Sequence, residues 1–379
     1  MPTSPLSQSG RFCPGRCWLA RNNDPTFFFS PFAHSTSLPV QHAVNADNVQ
    51  PEQGISLVTG ASGFVGSALV DYLCRLGRPV RAMVRNPAAV SPLQARGIPV
   101  VLADLRDYQS LLNAVQGVDA VYHIAALFRQ AGLPAHEFYE VNAEGTRRLL
   151  DAALAAGVRR VVHCSTVGVL GHISNPPADE TTPYNPGDVY QHSKMEGEKI
   201  ALQYFRSGKI PGVVIRPAMI YGPGDRRTLK LFRMIARRRF FYVGSGELEV
   251  HFVDVRDLVR AFVMAMDHQE ISGQVYIIAG ERALPLREMV EIIARELGVP
   301  PPRWHLPVRP MQWLGSICEA VCTPLRIQPP IFRRRVDFFT KRRSFDISKA
   351  KRELGYQPAR SLEQEVAEII AWYRQHGWL

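Results

Sequence analysis

The sequence predicts an α/β protein built on a doubly wound parallel sheet (a Rossmann fold), with a smaller, mostly helical C-terminal subdomain. Three observations predict it. A glycine-spaced turn, Thr59-Gly60-Ala61-Ser62-Gly63-Phe64-Val65-Gly66, joins an apolar run to a helix-period segment. Short apolar runs then alternate with helical patterns as far as Ile215, an alternation that implies right-handed crossovers and a sheet covered on both faces. Polar or small residues follow each run, at the carboxyl ends of strands where such sheets hold ligands.

The first strand is Ile55 to Val58. In the turn after it, Gly60 permits the bend, Gly63 lets backbone approach an anion and Gly66 lets the next helix pack closely. That helix shows Val65, Ala68, Leu69, Tyr72, Leu73 and Leu76 on one face and stops at Gly77. Its N-terminal N–H groups favour a phosphate, so the motif points to a dinucleotide. Further strands are expected at Val80 to Val84, Val100 to Leu102, Ala120 to Ile124, Arg160 to Cys164 and Gly212 to Ile215. Helices are expected at Tyr108 to Val115 and Phe138 to Ala156, the latter with Val141, Leu149, Ala153 and Ala156 on one face. Residues 54–224, with contributions from 250–282, read as the dinucleotide-binding domain, and 225–379 mainly as a substrate-binding subdomain.

The strand-end residues suggest chemistry. Ser165-Thr166 closes the fifth strand, and Tyr190-Gln191-His192-Ser193-Lys194 follows 24 residues after Thr166. On a helix, Lys194 stands one turn beyond Tyr190. A phenol with its pKa near 10 is a poor base at neutral pH; bringing it to about 7 takes on the order of 4 kcal/mol, which an adjacent ammonium can supply. Thr166 would hydrogen-bond a substrate oxygen while Tyr190 exchanges its proton and a hydride moves to or from a nicotinamide.

Composition narrows the class. The 379 residues are 46% hydrophobic and 21% charged, as in a soluble globular protein. The net charge of +11 is concentrated: seven Lys/Arg lie between Arg226 and Arg239, and six between Arg333 and Arg343 against one acid, Asp337. No zinc-finger spacing, RNA-binding strand motif or long basic tail points to nucleic acid. Six cysteines, Cys13, Cys17, Cys74, Cys164, Cys318 and Cys322, lack metal-site spacing and are too sparse for a disulfide scaffold, so no metal and a reducing, cytoplasmic setting are expected. Residues 1–53 are rich in Ser, Pro, Asn and Phe without periodicity and read as a disordered leader or the product of a misplaced start codon, with a transit peptide, suggested by Arg11, Arg16 and Arg21 among few acids, as the lesser alternative. No stretch reaches the roughly 18 apolar residues of a membrane span.

With these motifs in hand, the chain resembles the extended short-chain dehydrogenase/reductase family, the NAD-dependent epimerase/dehydratase family, from Gly54 to Leu379. The resemblance is carried by the glycine turn, Asp104-Leu105, His123-Ile124-Ala125-Ala126, Asn142-Ala143-Glu144-Gly145-Thr146, Ser165-Thr166, Tyr190 to Lys194, and Arg216-Pro217 with Tyr221-Gly222-Pro223-Gly224-Asp225. It implies that Gly60, Ser62, Gly63, Phe64, Val65, Gly66, Arg85, Asp104, Leu105, Ala125, Ala126, Asn142, Tyr190, Lys194 and Pro217 line the cofactor cleft. Asp104 would meet adenine and Pro217 would border the nicotinamide. Thr166, Tyr190 and Lys194 would be catalytic, with Ser165 as the neighbouring alternative hydroxyl. A homodimer is also implied, through helices that include Phe138 to Ala156 and the one starting near Tyr190.

Two departures bear on ligands. NAD-preferring proteins place an acid at the end of the second strand, and here Val84 is followed by Arg85; an arginine suits a 2′-phosphate, which tips the expected cofactor toward NADP over NAD. Nucleotide-sugar epimerases of the family often carry an Arg-Asp-Phe element where this chain reads Val250-His251-Phe252. The loss of that arginine favours a lipid alcohol or ketone over a nucleotide sugar as the small-molecule substrate; the segment Phe345 to Tyr356 resembles 3β-hydroxysteroid dehydrogenases but also sugar epimerases, and so marks the family rather than the substrate. A non-catalytic dinucleotide-binding protein would not need both Tyr190 and Lys194. Arg226, Lys230, Arg233 and Arg237 form a basic face opposite Leu229, Phe232 and Ala236, available to a diphosphate, an acidic membrane surface or solvent. The amphipathic stretch Met311 to Leu325, with Arg333 to Arg335 beyond it, keeps a peripheral membrane contact open.

Overall fold

Six strands, β1 (Ser56–Thr59), β2 (Val80–Val84), β3 (Val100–Leu102), β4 (Ala120–His123), β5 (Arg160–Cys164) and β6 (Gly212–Pro217), and a seventh at Val275–Ile278 form one parallel sheet. Their order across it is β3, β2, β1, β4, β5, β6 and the seventh strand. The order reverses between β1 and β4, which opens a crevice beyond their carboxyl ends. The computed structural model describes residues 54–128, 132–311, 313, 316, 317 and 342–379. The leader 1–53, most of Met311 to Leu325, and Arg333 to Arg335 lie outside them.

Helices cover both faces. On one, α1 (Phe64–Arg75) and α8 (Val255–Asp267) pack Leu69, Val70, Leu73, Leu258 and Phe262 onto β-strand side chains such as Val58, Ala82 and Val162. On the other, α3 (Tyr108–Val115), α5 (Gly145–Ala155) and α6 (Val189–Arg206) pack Leu111, Leu149, Ala153, Ala201 and Phe205 onto Leu57, Val121 and Val161. Strands buried on both faces read as continuous apolar runs, which is why they were legible. Several helices start on a carboxylate cap: Asp107 for α3, Asp188 for α6, Asp225 for α7 (Arg226–Ala236) and Asp254 for α8.

The expected helix Phe138 to Ala156 is not one regular α-helix. It consists of α4 (Ala135–Tyr139), a π-turn at Glu140–Glu144, and α5. Wide turns of this kind cluster at functional sites, and this one carries Asn142. A third apolar cluster stands apart from the sheet, with Phe232 and Ile235 of α7, Met289 and Ile293 of α9 (Leu286–Leu297), and Ile369 and Tyr373 of the helix Leu362–Gln375. None of the described helices is long and apolar enough to cross a membrane.

Candidate active site

The glycine turn fits a dinucleotide phosphate. A Cβ at Gly66 would lie 2.1 Å from the Gly60 carbonyl oxygen, and one at Gly60, where φ is +69°, would lie 2.9 Å from the Ala125 Cα. Neither position tolerates a side chain, so α1 starts hard against the end of β1. Gly63 is the N-cap and brings no capping side chain, which leaves the first turn of α1 to an external anion. Ser62, Phe64 and Val65 are half-buried around it, Leu105 and Pro217 are buried, and Ala125 and Ala126 lie on the accessible loop after β4. At the end of β2, Val84 is buried and Arg85 exposed. Asp104 carries its charge against Arg106 at 2.8 Å; that hydrogen bond, with help from Arg85, holds its carboxyl below the usual range.

Beneath the turn runs a continuous hydrogen-bond chain. The Thr59 hydroxyl accepts the amides of Ile124 and Ala125, each at 3.0 Å, and contacts His123 Nδ1 at 3.0 Å. With both lone pairs occupied the hydroxyl must donate, so His123 is protonated on Nε2. That nitrogen donates to Thr146 Oγ1 at 3.0 Å, which donates to the Asn142 carbonyl at 2.8 Å. The Asn142 amide grips both polar groups of the Leu127 backbone, at 2.7 and 3.0 Å, and donates to Ser193 Oγ at 2.9 Å. Ser193 in turn donates to the Tyr190 carbonyl at 2.9 Å. Both N–H bonds of Asn142 are therefore engaged by protein, and its side chain shapes the cleft loop and the start of α6.

The catalytic candidates converge where β5 meets α6. Thr166 is half-buried and its hydroxyl accepts the Gly168 amide at 3.0 Å. Tyr190 lies in the first turn of α6, half-buried, with the Phe128 ring edge-on at 5.1 Å. Lys194 is 2% exposed and donates to the Cys164 carbonyl at 2.7 Å, one residue before Ser165. Burial pulls its pKa down, and Glu198 partly opposes this. Ser165 has a different setting from Thr166: it is buried and its hydroxyl donates to Glu198.

Sequence reasoning missed Glu198, although its spacing of four beyond Lys194 was readable. Its carboxylate is fully buried and ion-paired with Arg216 at 2.6 Å, and it also accepts the Tyr184 hydroxyl at 2.7 Å. Phe128 and Arg227 were missed as well. The Arg227 guanidinium stands 5.5 Å from the Phe64 ring and 5.8 Å from that of Phe128, while its Nε holds the Asp225 cap at 3.0 Å. Of the expected basic face, Arg226 lies over the Trp378 ring at 5.1 Å and Arg233 donates to the Trp378 carbonyl at 2.8 Å. Ala236 is only half-buried, and Ile235 completes the apolar stripe with Leu229 and Phe232. Among the described residues no cluster of three or more His, Cys, Asp or Glu could hold a metal ion.

A glycine turn at the switch point of a parallel sheet, with Tyr and Lys one turn apart on the neighbouring helix, defines a dinucleotide-dependent enzyme. The profile of the NAD dependent epimerase/dehydratase family matches residues 56–279, and the chain belongs to that family. It is 32% identical over 335 residues to sterol demethylase protein B of Methylococcus capsulatus, covering 86% of this chain and 99% of the relative. It is 31% identical to a 3-beta-hydroxysteroid dehydrogenase of Mycolicibacterium neoaurum, covering 86% and 93%. Among solved structures, a double mutant of the dTDP-glucose 4,6-dehydratase DesIV of Streptomyces venezuelae, crystallised with NAD, superposes with a TM-score of 0.67 at 28% identity, covering 85% and 98%. The protein is accordingly an NAD(P)-dependent oxidoreductase of the extended short-chain type.

Proposed function

We propose that the protein interconverts a secondary alcohol and a ketone on an apolar substrate of the 3-hydroxysteroid or related lipid class, with NADP as the preferred cofactor. The bound nicotinamide would supply or accept the hydride. Thr166 orients the substrate oxygen, Tyr190 gives or takes its proton, and Lys194, kept dry by burial, lies one turn along the same helix. Arg85 would take the 2′-phosphate and Asp104 the adenine side. The C-terminal subdomain would select the substrate; the family resemblance supports a homodimer, and the basic and amphipathic segments of the sequence support a peripheral membrane contact.

The observation that favours a lipid over a sugar diphosphate is His251. It is 2% exposed, accepts the Phe345 amide at Nδ1 (3.3 Å) and so donates from Nε2 to the Gly280 carbonyl at 3.0 Å. Burial lowers its pKa, and its neighbour Val250, 1% exposed, stands where the sugar enzymes use arginine, so neither residue presents a cation. Phe128, 48% exposed beside Tyr190, adds an apolar wall. The test is NADPH and NADH oxidation or formation against a panel of 3-hydroxysteroids, 3-ketosteroids and nucleotide sugars. Net cofactor turnover with a steroid is expected. Sugar conversion with retained cofactor and no net redox change would overturn the reading in favour of an epimerase or dehydratase.

A further inference from the structure

A cationic, aromatic surface lies outside the site just described. Two segments meet in a short parallel pair, Tyr242–Val243 with His305–Leu306. The Tyr242 amide donates to the Trp304 carbonyl at 2.8 Å, and the Tyr242 and His305 rings stack at 4.8 Å. The first segment enters this pair from the turn Arg237-Arg238-Arg239; the second carries Arg303, Trp304, Arg309 and Trp313. All five arginines are exposed, and among the described residues none is paired with a carboxylate. Trp304 and Trp313 are 77% and 72% exposed, far above the other exposed large apolar side chains. No Asp or Glu occurs from Arg233 to Gly246 or from Val299 to Cys318.

Arg238 supplies an independent sign. It follows the C-cap of α7 with φ at +55°, the sole non-glycine residue with positive φ among the described residues. Helices ordinarily put glycine there because a Cβ is strained in the left-handed region. Placing an exposed arginine at that point keeps a guanidinium at the expense of backbone ease, the kind of local strain that marks a functional surface.

We propose that this surface docks the protein on an anionic lipid bilayer. Arginines near an anionic leaflet are each attracted to it, in a way that salt screens. Indole has an apolar body and one N–H donor, and it settles at the membrane–water interface. Exposed indoles and arginines also anchor protein–protein contacts, but an acid-free surface of this kind beside an enzyme read as acting on a lipid favours a bilayer. The purpose of docking rests on the lipid-substrate reading, since an apolar alcohol partitions into membranes. Vesicle binding is read with no substrate present, so failure of docking and failure of that reading are separate results.

The experiment is co-sedimentation of the full chain with phosphatidylcholine vesicles, with and without phosphatidylglycerol, at low and high salt. Binding is expected only with phosphatidylglycerol and is lost at high salt. Arg237→Gln and Arg239→Gln should each weaken it about fivefold, and Trp304→Ala with Trp313→Ala about tenfold. Arg238→Gly separates docking from folding: it should weaken binding about fivefold while raising Tm by about 1–3 °C. Equal binding to both vesicle types, no binding to either, or full binding by Arg238→Gly overturns the proposal. Self-association that disappears in Trp304→Ala would instead assign the surface to a second copy of the chain and equally overturn it.

Discussion

The floor of the active site and its mouth are built on opposite terms. In the floor, His123, His163, Lys194, Glu198 and Arg216 are each 3% exposed or less, and all but His163 have hydrogen-bond partners in the protein. At the mouth, Tyr190 and Arg227 are partly open, Phe128 is 48% exposed, and the contacts are ring edges and a cation over aromatic faces. The floor fixes where a proton is held, because buried polar groups have few alternative partners. The mouth can change residue types without disturbing that geometry, so on the proposed function substrate range would be set there and reaction type below.

The largest effect should come at the boundary between the two. Tyr190→Phe removes one oxygen, leaves the ring against Phe128, and should lower turnover by about 10²–10⁴ while NADPH affinity, by fluorescence titration, stays within about twofold. Unchanged turnover would break the comparison at its centre, since the floor would then serve no proton donor. Next is the ion pair below Lys194. Arg216→Met leaves the Glu198 carboxylate buried with only Tyr184 and Ser165, and should destabilise folding by about 3–5 kcal/mol in urea denaturation. A loss under about 1 kcal/mol would show that the floor is wetter than its burial indicates.

A third effect tests the floor through its histidines. Burial first, then the Lys194 ammonium, lowers the pKa of His123 to about 3 and that of His163 well below its usual 6.5. Their folded-state values lie beneath the unfolded ones, so the unfolded chain binds more protons in that window. Stability is therefore complete above about pH 6.5 and is lost as pH falls toward about 3, by about 2 kcal/mol at pH 5 for His123, with His163 acting in the same direction. Denaturation midpoints from about pH 7 to pH 5 measure it, and His163→Leu should remove part of the loss. A flat profile would mean that neither ring is held neutral by the fold.

The same contrast explains what was legible in the sequence. Strands β2, β3 and β5 lie where apolar runs predicted them, and β1, β4 and β6 shift or extend by at most two residues, because burial on both faces writes itself as composition. The seventh strand, Val275–Ile278, was not called as a strand; it joins β6 only after the chain has left the sheet and returned through α8. The placement of Thr166 just after β5, and of Tyr190 and Lys194 one turn apart on α6, was legible because strand-end position and helical spacing are local. The roles of Asn142 and His123 were not, since their partners are 15 to 64 residues away and only the fold brings them together. Phe128 and Arg227 carry no spacing signal, as cation–aromatic contacts across loops leave no period in a sequence.

The smallest expected effect sits at the outer edge of the cleft. Arg85 is exposed, and its guanidinium already helps hold the Asp104 carboxyl low, so on the proposed function it would border the adenosine side of the site without being buried in it. An exposed arginine on a phosphate is screened by solvent, which limits its contribution to about 1–2 kcal/mol, or roughly tenfold in affinity. Arg85→Asp should thus weaken NADPH binding by about tenfold, and by more at low salt because the new carboxylate repels the phosphate. NADH binding should hold or tighten, since an acid at this strand end can accept the ribose hydroxyls. Paired fluorescence titrations of the two dinucleotides read the ratio directly. An unchanged ratio would place the 2′-phosphate elsewhere, and would show that cofactor choice, like reaction type, belongs to the buried floor rather than to the rim.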